Sequence, residues 1–244
     1  MTIPTPDVGK YLAQHRDFFE YLSEWQHSLE YLRLADLTNN GRSGHKLAIM
    51  STDLTKCFTS VGRLASPRIA SVVPNVVKLF EEAYSQGVRD FLLTQDSHPP
   101  DSMEFEAFGE HCVKGTPESE TVDELVNLPF SDEFIVMLKD SLNPAIGTDV
   151  NKWVDERPEI ESIIVTGDCT DICVYQLAMH TKIRAVQMHR RIDVIVPADC
   201  VQTYHIGVEE AKGMGAMPHD GDVTHIIFLY HMALCGIHVV SNIE

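Results

Sequence analysis

Two cysteines stand four positions apart in "TGDCTDICVYQLAM", residues 166–179, directly after the apolar run "IESIIV". If a strand ends there and a helix opens, Cys173 falls in the first helical turn, where free backbone N–H groups favour a thiolate. An ammonium such as Lys139 would favour the thiolate further. A carboxylate such as Asp53 would take the proton as general base. Together these residues make a nucleophilic thiol. The spacing also admits a plain buried core cysteine. Taken singly, Asp53 reads as a turn former or cap and Lys139 as a solvated lysine. As half of a zinc site, Cys169 and Cys173 lack the second cysteine pair that structural zinc sites carry.

A second constellation lies upstream. Asp96, His98, Glu104 and His111 fall within sixteen residues. Two imidazoles and two carboxylates suit a divalent transition metal, and equally suit a polar surface loop. The segment "PHDGDVTH" repeats the flavour with His219, Asp220, Asp222 and His225. There Asp222 reads as the cap of a final helix.

These residues need a scaffold, and the hydropathy pattern supplies one. Apolar strand-like runs, "KLAIMSTD", "VRDFLLTQD", "EFIVMLK", "IESIIVTG", "RIDVIVPAD" and "IHVVS", alternate with helix-like segments. The latter include 66–87, 170–183, 207–215 and 222–236. Such alternation predicts an α/β fold with a parallel sheet covered on both faces. Ligands in such folds sit beyond the carboxyl ends of the strands. Asp53, Asp96, Lys139 and the Cys169–Cys173 segment all fall at expected strand ends. Ahead of this domain, Tyr11, His15, Phe18, Leu22, Trp25, Leu29 and Leu32 recur at helical spacing. "TNNGRSG" then reads as a linker. The expected organisation is a helical arm over 1–45 and a main domain over 46–244.

Bulk properties narrow the function. The chain has 244 residues, 44% of them hydrophobic, enough for one sizeable core. A net charge of −17 argues against nucleic acid or anionic membranes as partners. No apolar run is long enough to span a bilayer. Six scattered cysteines do not form a disulfide framework. A soluble, reduced, cytoplasmic protein is expected.

The ordered set of motifs resembles the isochorismatase-like cysteine hydrolases, and within them the nicotinamidases. The segments are "STDLTKCF", "TQDSHPP" with "EFEAFGEHCVKGT", "KDSLNPAIGTD" and "VTGDCTDICV", and the likeness spans about residues 46–241. It implies a Rossmann-like three-layer α/β/α fold with a six-stranded parallel sheet and an Asp53–Lys139–Cys173 triad. It also implies a cis Asp168–Cys169 peptide, with an oxyanion hole made by the backbone N–H groups of Cys169 and Cys173. Phe58 and Phe108 would pack on the substrate. Asp96, His98, Glu104 and His111 would hold one divalent metal, zinc ahead of iron or manganese. The implied reaction is hydrolysis of nicotinamide to nicotinate and ammonia; separately, the apolar face of the arm points to a homo-oligomer. The alternatives are another small amide, a ureide or a vinyl ether as substrate, or a non-catalytic scaffold. The chain departs from the nicotinamidase pattern in "SLNPAI" after Lys139, where aromatic residues are usual. It departs again at Asp168 and Cys169, where apolar or small residues are usual.

Overall fold

A computed structural model describes residues 7–38 and 46–244. Seven strands form one sheet: β1 Leu47–Thr52, β2 Asp90–Asp96, β3 Ile135–Lys139, β4 Ser162–Asp168, β5 Asp193–Pro197, β6 Val201–Gln202 and β7 His238–Val240. The order is β3-β2-β1-β4-β5-β7, with β6 beside β4, and every pairing is parallel. Six strands follow the main path. The two-residue β6 makes the seventh, where the resemblance implies six.

Alternate residues of each strand serve opposite faces. Leu47 and Ile49 join Phe91, Leu93, Ile164 and Ile195 in one core, beneath helix α2, Val73–Ser85. Ala48 and Met50 join Leu92, Ile163 and Val165 in the other, beneath α4, Cys173–Gln187, with α3, Val150–Asp155, beside it. Edge strand β3 departs from the expected two-sided cover. Ile135, Val136 and Leu138 are exposed at this end of the sheet.

The helix expected over 66–87 is interrupted. A single turn, Pro67–Ala70, precedes α2. Pro74 sits in the first turn of α2, where a missing N–H costs nothing, and so marks a fresh helix start. Two longer helices near the carboxyl-terminal end are α5, Val208–Met214, and α6, Gly221–Leu234. Asp220, not Asp222, caps α6: its carboxylate accepts from the N–H groups of Asp222 and Val223. Asp222 instead pairs with Arg68 at 2.8 Å.

At the amino-terminal end, α1 runs Val8–His27. Leu22 is buried, and Trp25 and Leu29 pack on the domain core. Phe18, Tyr21 and Trp25 surround Tyr230 of α6, with ring centroids 5.2–5.9 Å away. Tyr11, Leu12 and Phe19 remain exposed. The helical periodicity read through Leu32 stops at His27, because the following backbone finds other partners. Leu32 donates to Asn242 O, and Glu244 donates back to Leu32 O. Thr38, read as linker, is buried and ends the short helix Leu34–Thr38. The rest of the expected linker, 39–44, lies outside the described residues. Among the described residues, no helix is long and apolar enough to cross a membrane.

Chain order reverses between β1 and β4. The chain steps outward through β2 and β3 on one side and through β5 and β7 on the other. Crevices form at such switch points, outside the carboxyl ends of the strands. Gly167 lets β1 and β4 close up there. A Cβ on Gly167 would lie 1.9 Å from Thr52 O, and its φ of +111° suits glycine alone.

Candidate active site

At the end of β1 the chain turns sharply, with Asp53 at φ 59°. Its carboxylate is 1% exposed; Oδ1 accepts from the Asp96 N–H at 2.9 Å. Lys139, the last residue of β3, crosses above β2 to reach it. The Lys139 Nζ lies 2.9 Å from Asp53 Oδ2, 2.5 Å from Asp96 Oδ1 and 3.5 Å from Cys173 Sγ. Cys173 is the first residue of α4. The expected helix start at Thr170 moves to Cys173, because the Thr170 N–H bonds instead to Gln202 O in β6. The Asp168–Cys169 peptide is cis. Cys169 O accepts from the N–H groups of Ile172 and Val174, closing the turn, and the N–H of Cys173 has no carbonyl four residues back within its helix.

Burial sets the protonation states. Burial and the Asp96 charge raise Asp53 to about 6, against the pull of Lys139. Cys173 is pushed well up by burial despite Lys139, so it rests as a thiol. Lys139 is raised: burial opposes its charge, but Asp53, Cys173 and Asp96 outweigh that. The group of three is a neutral thiol, a carboxylate able to take a proton near neutral pH, and a fixed cation.

The four metal candidates converge. One donor atom from each of Asp96, His98, Glu104 and His111 lies within 4.8 Å of the others. The polar loop closes because Val113 runs alongside His98, with His98 N donating to Cys112 O and Lys114 N to His98 O. That pairing sets the imidazole rings 4.6 Å apart. His111 Nδ1 bonds Gly109 O at 2.7 Å and His98 Nδ1 bonds Asp140 Oδ1 at 2.5 Å. Both rings therefore turn Nε2 inward. His98 Nε2 is fully buried with no hydrogen-bond partner, and Asp96 Oδ2 stands 3.6 Å off. A buried lone nitrogen facing two carboxylates and a second imidazole fits a divalent cation. Burial disfavours charge on His98, but Asp96 and Asp140 outweigh it and raise the ring to about 9, so proton and cation compete for Nε2. Burial also pushes Glu104 up to about 7.

Phe58 and Phe108 flank this cluster. Their ring centroids lie 5.9 and 6.3 Å from that of His111. Phe58 is buried and Phe108 half-buried. Cys169 is buried with Phe58, Cys57 and Cys112.

Sequence reasoning missed several supporting residues. Asp140 orients His98 and accepts from Ser102 Oγ at 2.7 Å. Its place directly after Lys139 was the available signal. Thr170 Oγ1 bonds His225 Nδ1 at 2.9 Å, and Asp171 bonds His219 at 2.9 Å. The "PHDGDVTH" segment thus braces the nucleophile turn; the metal-like reading of it finds no support among the described residues.

Residues 48–223 match the Isochorismatase domain. Nicotinamidase 1 of Arabidopsis thaliana is 28% identical over 252 residues, 96% of this chain and 99% of that protein. Among solved structures, the pyrazinamidase of Pyrococcus horikoshii in complex with zinc superposes with a TM-score of 0.60 at 22% identity, over 80% of this chain and 98% of that one. N-carbamoylsarcosine amidase from Thermoplasma acidophilum gives 0.60 at 24%, over 80% and 95%. With the domain match covering most of its length, and the fold in agreement, this chain belongs to the isochorismatase family.

Proposed function

We propose that the protein is a cysteine amidohydrolase that converts nicotinamide to nicotinate and ammonia through a thioester on Cys173. One observation carries this reading. The Lys139 ammonium contacts Asp53, Asp96 and Cys173 together, joining a thiol, its base and the metal-donor cluster in one buried network. Similarity to an Arabidopsis nicotinamidase along nearly all of both chains supports the substrate.

Asp53 takes the Cys173 proton as sulfur attacks the amide carbonyl carbon. A C–S bond forms and the carbonyl π pair moves onto oxygen. The backbone N–H groups of Cys169 and Cys173 hold that oxyanion. Asp53 returns its proton to the amide nitrogen, the C–N bond breaks and ammonia leaves. Water then gives a proton to Asp53 and adds to the thioester. The C–S bond breaks, sulfur recovers the proton, and the acid departs. Lys139 stays charged throughout and steadies each anionic state. Phe58 and Phe108 pack on the aromatic ring of the substrate. A divalent ion held by Asp96, His98, Glu104 and His111 would supply a Lewis-acid anchor for a ring nitrogen. Imidazole and carboxylate donors suit zinc, iron or manganese, and zinc comes first because the Pyrococcus horikoshii neighbour holds it. The reading extends to a cytoplasmic homo-oligomer. Six free cysteines suit a reducing compartment, and exposed apolar residues on α1 and β3 suit self-association.

A ureide or another small amide is the second reading, favoured by Asp168. Burial pushes this carboxyl well up at the end of β4, and its Oδ1 has no hydrogen-bond partner. Ammonia release over a panel of nicotinamide, pyrazinamide, ureides and aliphatic amides separates the two. Nicotinamide should be the best substrate, and Cys173→Ala should lose several orders of magnitude in kcat with an unchanged melting temperature. Wild-type turnover in Cys173→Ala would remove the thiol from the mechanism. A ureide preference would transfer the assignment to the second reading.

A further inference from the structure

The nucleophile turn, Asp168–Ile172, is held from outside by an imidazole with an unusual demand. His219 Nε2 lies 2.9 Å from Asp171 Oδ2, and its Nδ1 lies 2.9 Å from Tyr204 O. A carbonyl and a carboxylate are both acceptors, so both ring nitrogens must donate. Only the imidazolium donates from both. The ring is fixed further by stacking on Tyr204, at 4.0 Å between centroids and 16° between planes. The His219 backbone pairs with Ile206 in both directions. Asp171 lies two residues before Cys173, within the turn whose closing bonds run to Cys169 O.

We propose that His219, acting as an imidazolium through Asp171, is a positioning residue that fixes the nucleophile turn and so aligns Cys173 with its base. Loss of the ring proton breaks one of the two bonds and releases either Asp171 or Tyr204. The groups facing the ring are Asp171 on the turn, Asp220 at the cap of α6 and the Tyr204 phenol. Burial disfavours the His219 charge, but Asp171 and Asp220 outweigh it and raise the imidazole above its ordinary value. Burial raises the Tyr204 phenol to about 12, so it stays neutral. Activity should therefore have an alkaline limb set by His219.

The inference rests on the Cys173 reading, so its test carries a readout that needs no substrate. In full-length protein, imidazole NMR assigned with His219→Gln should place the His219 midpoint above the ordinary value of about 6.5. The kcat for nicotinamide, and the rate of Cys173 alkylation by iodoacetamide, should change at that same midpoint while KM holds. His219→Gln should lower kcat about 10–100-fold at unchanged KM, the scale of a slightly misplaced reacting group. His219→Arg keeps two donors and does not titrate; it should recover part of kcat and lose the alkaline limb. A midpoint at or below the ordinary value, or a wild-type pH profile in His219→Gln, would overturn the proposal. Should the variants fail to fold, the wild-type titration still decides. A raised midpoint that governs alkylation in a protein without amide turnover would sink the amidase reading and leave the positioning role standing.

Discussion

Asp96 is where the two halves of the site meet. One oxygen takes the Lys139 ammonium and the other faces His98 and His111. A change in the metal-donor cluster is therefore felt at the thiol through a single carboxylate. Asp140 tests this arrangement from one shell further out. Without its carboxylate, His98 Nδ1 keeps only the long 3.5 Å contact with Ser102 Oγ and the ring loses its main anchor. Asp140→Ala should lower metal affinity about 10–100-fold, read by chelator competition followed by elemental analysis. Unchanged affinity would mean that the donors do not form the metal site. Asp53, Lys139, Cys173 and the four metal candidates were legible in the sequence because each falls at a strand end or in one short loop. Asp140 and Asp171 were not, and His219 stood out only as one of a polar cluster, without its role. Each acts through a hydrogen bond whose partner lies far along the chain, except where adjacency to Lys139 gave a hint, and no periodicity encodes such a bond.

The nucleophile turn is bounded by α4, β6 and α6, and α6 carries a pH sensitivity of its own. His225 is 8% exposed and bonded to Thr170. Burial first, then Arg68, depress the imidazole to about 4. The folded form thus binds fewer protons than the unfolded one between the ordinary histidine value and about 4. The stabilisation is complete above about 6.5 and is lost as pH falls toward 4, by up to about 3 kcal/mol. Urea unfolding at pH 7.5 and pH 4.5 should show wild type losing about 2–3 kcal/mol more than His225→Gln over that interval. Equal losses would mean that His225 is not buried neutral. Among the elements, β1, β2, β4 and β5 were readable as continuous apolar runs. Helix α2 was read too long because an apolar face hides a break that Pro74 makes. The two residues of β6 were invisible, since nothing so short has a pattern, yet they anchor Thr170.

Across the whole molecule, the sheet order gathers residues from four strand ends at one switch point. Asp53, Asp96, Lys139 and Cys173 are far apart in sequence and meet only because β1 and β4 are neighbours and β2 and β3 lie beyond β1. The alternation of strands and helices made this fold class legible, but not the strand order, which depends on packing between distant segments. Helix α1 was legible as amphipathic, but its docking against Tyr230 was not, because a periodic face does not name its partner. The chemistry assigned to the gathered site stands or falls with the covalent state of one sulfur. Full-length protein mixed with nicotinamide, quenched in acid within the first turnovers and mapped by peptide mass spectrometry reports that state directly. The expected result is a nicotinoyl group on the peptide containing Cys173, absent from Cys173→Ala. Ammonia release at the wild-type rate with no acyl group on Cys173 at any quench time, and with turnover retained in Cys173→Ala, would contradict the assignment.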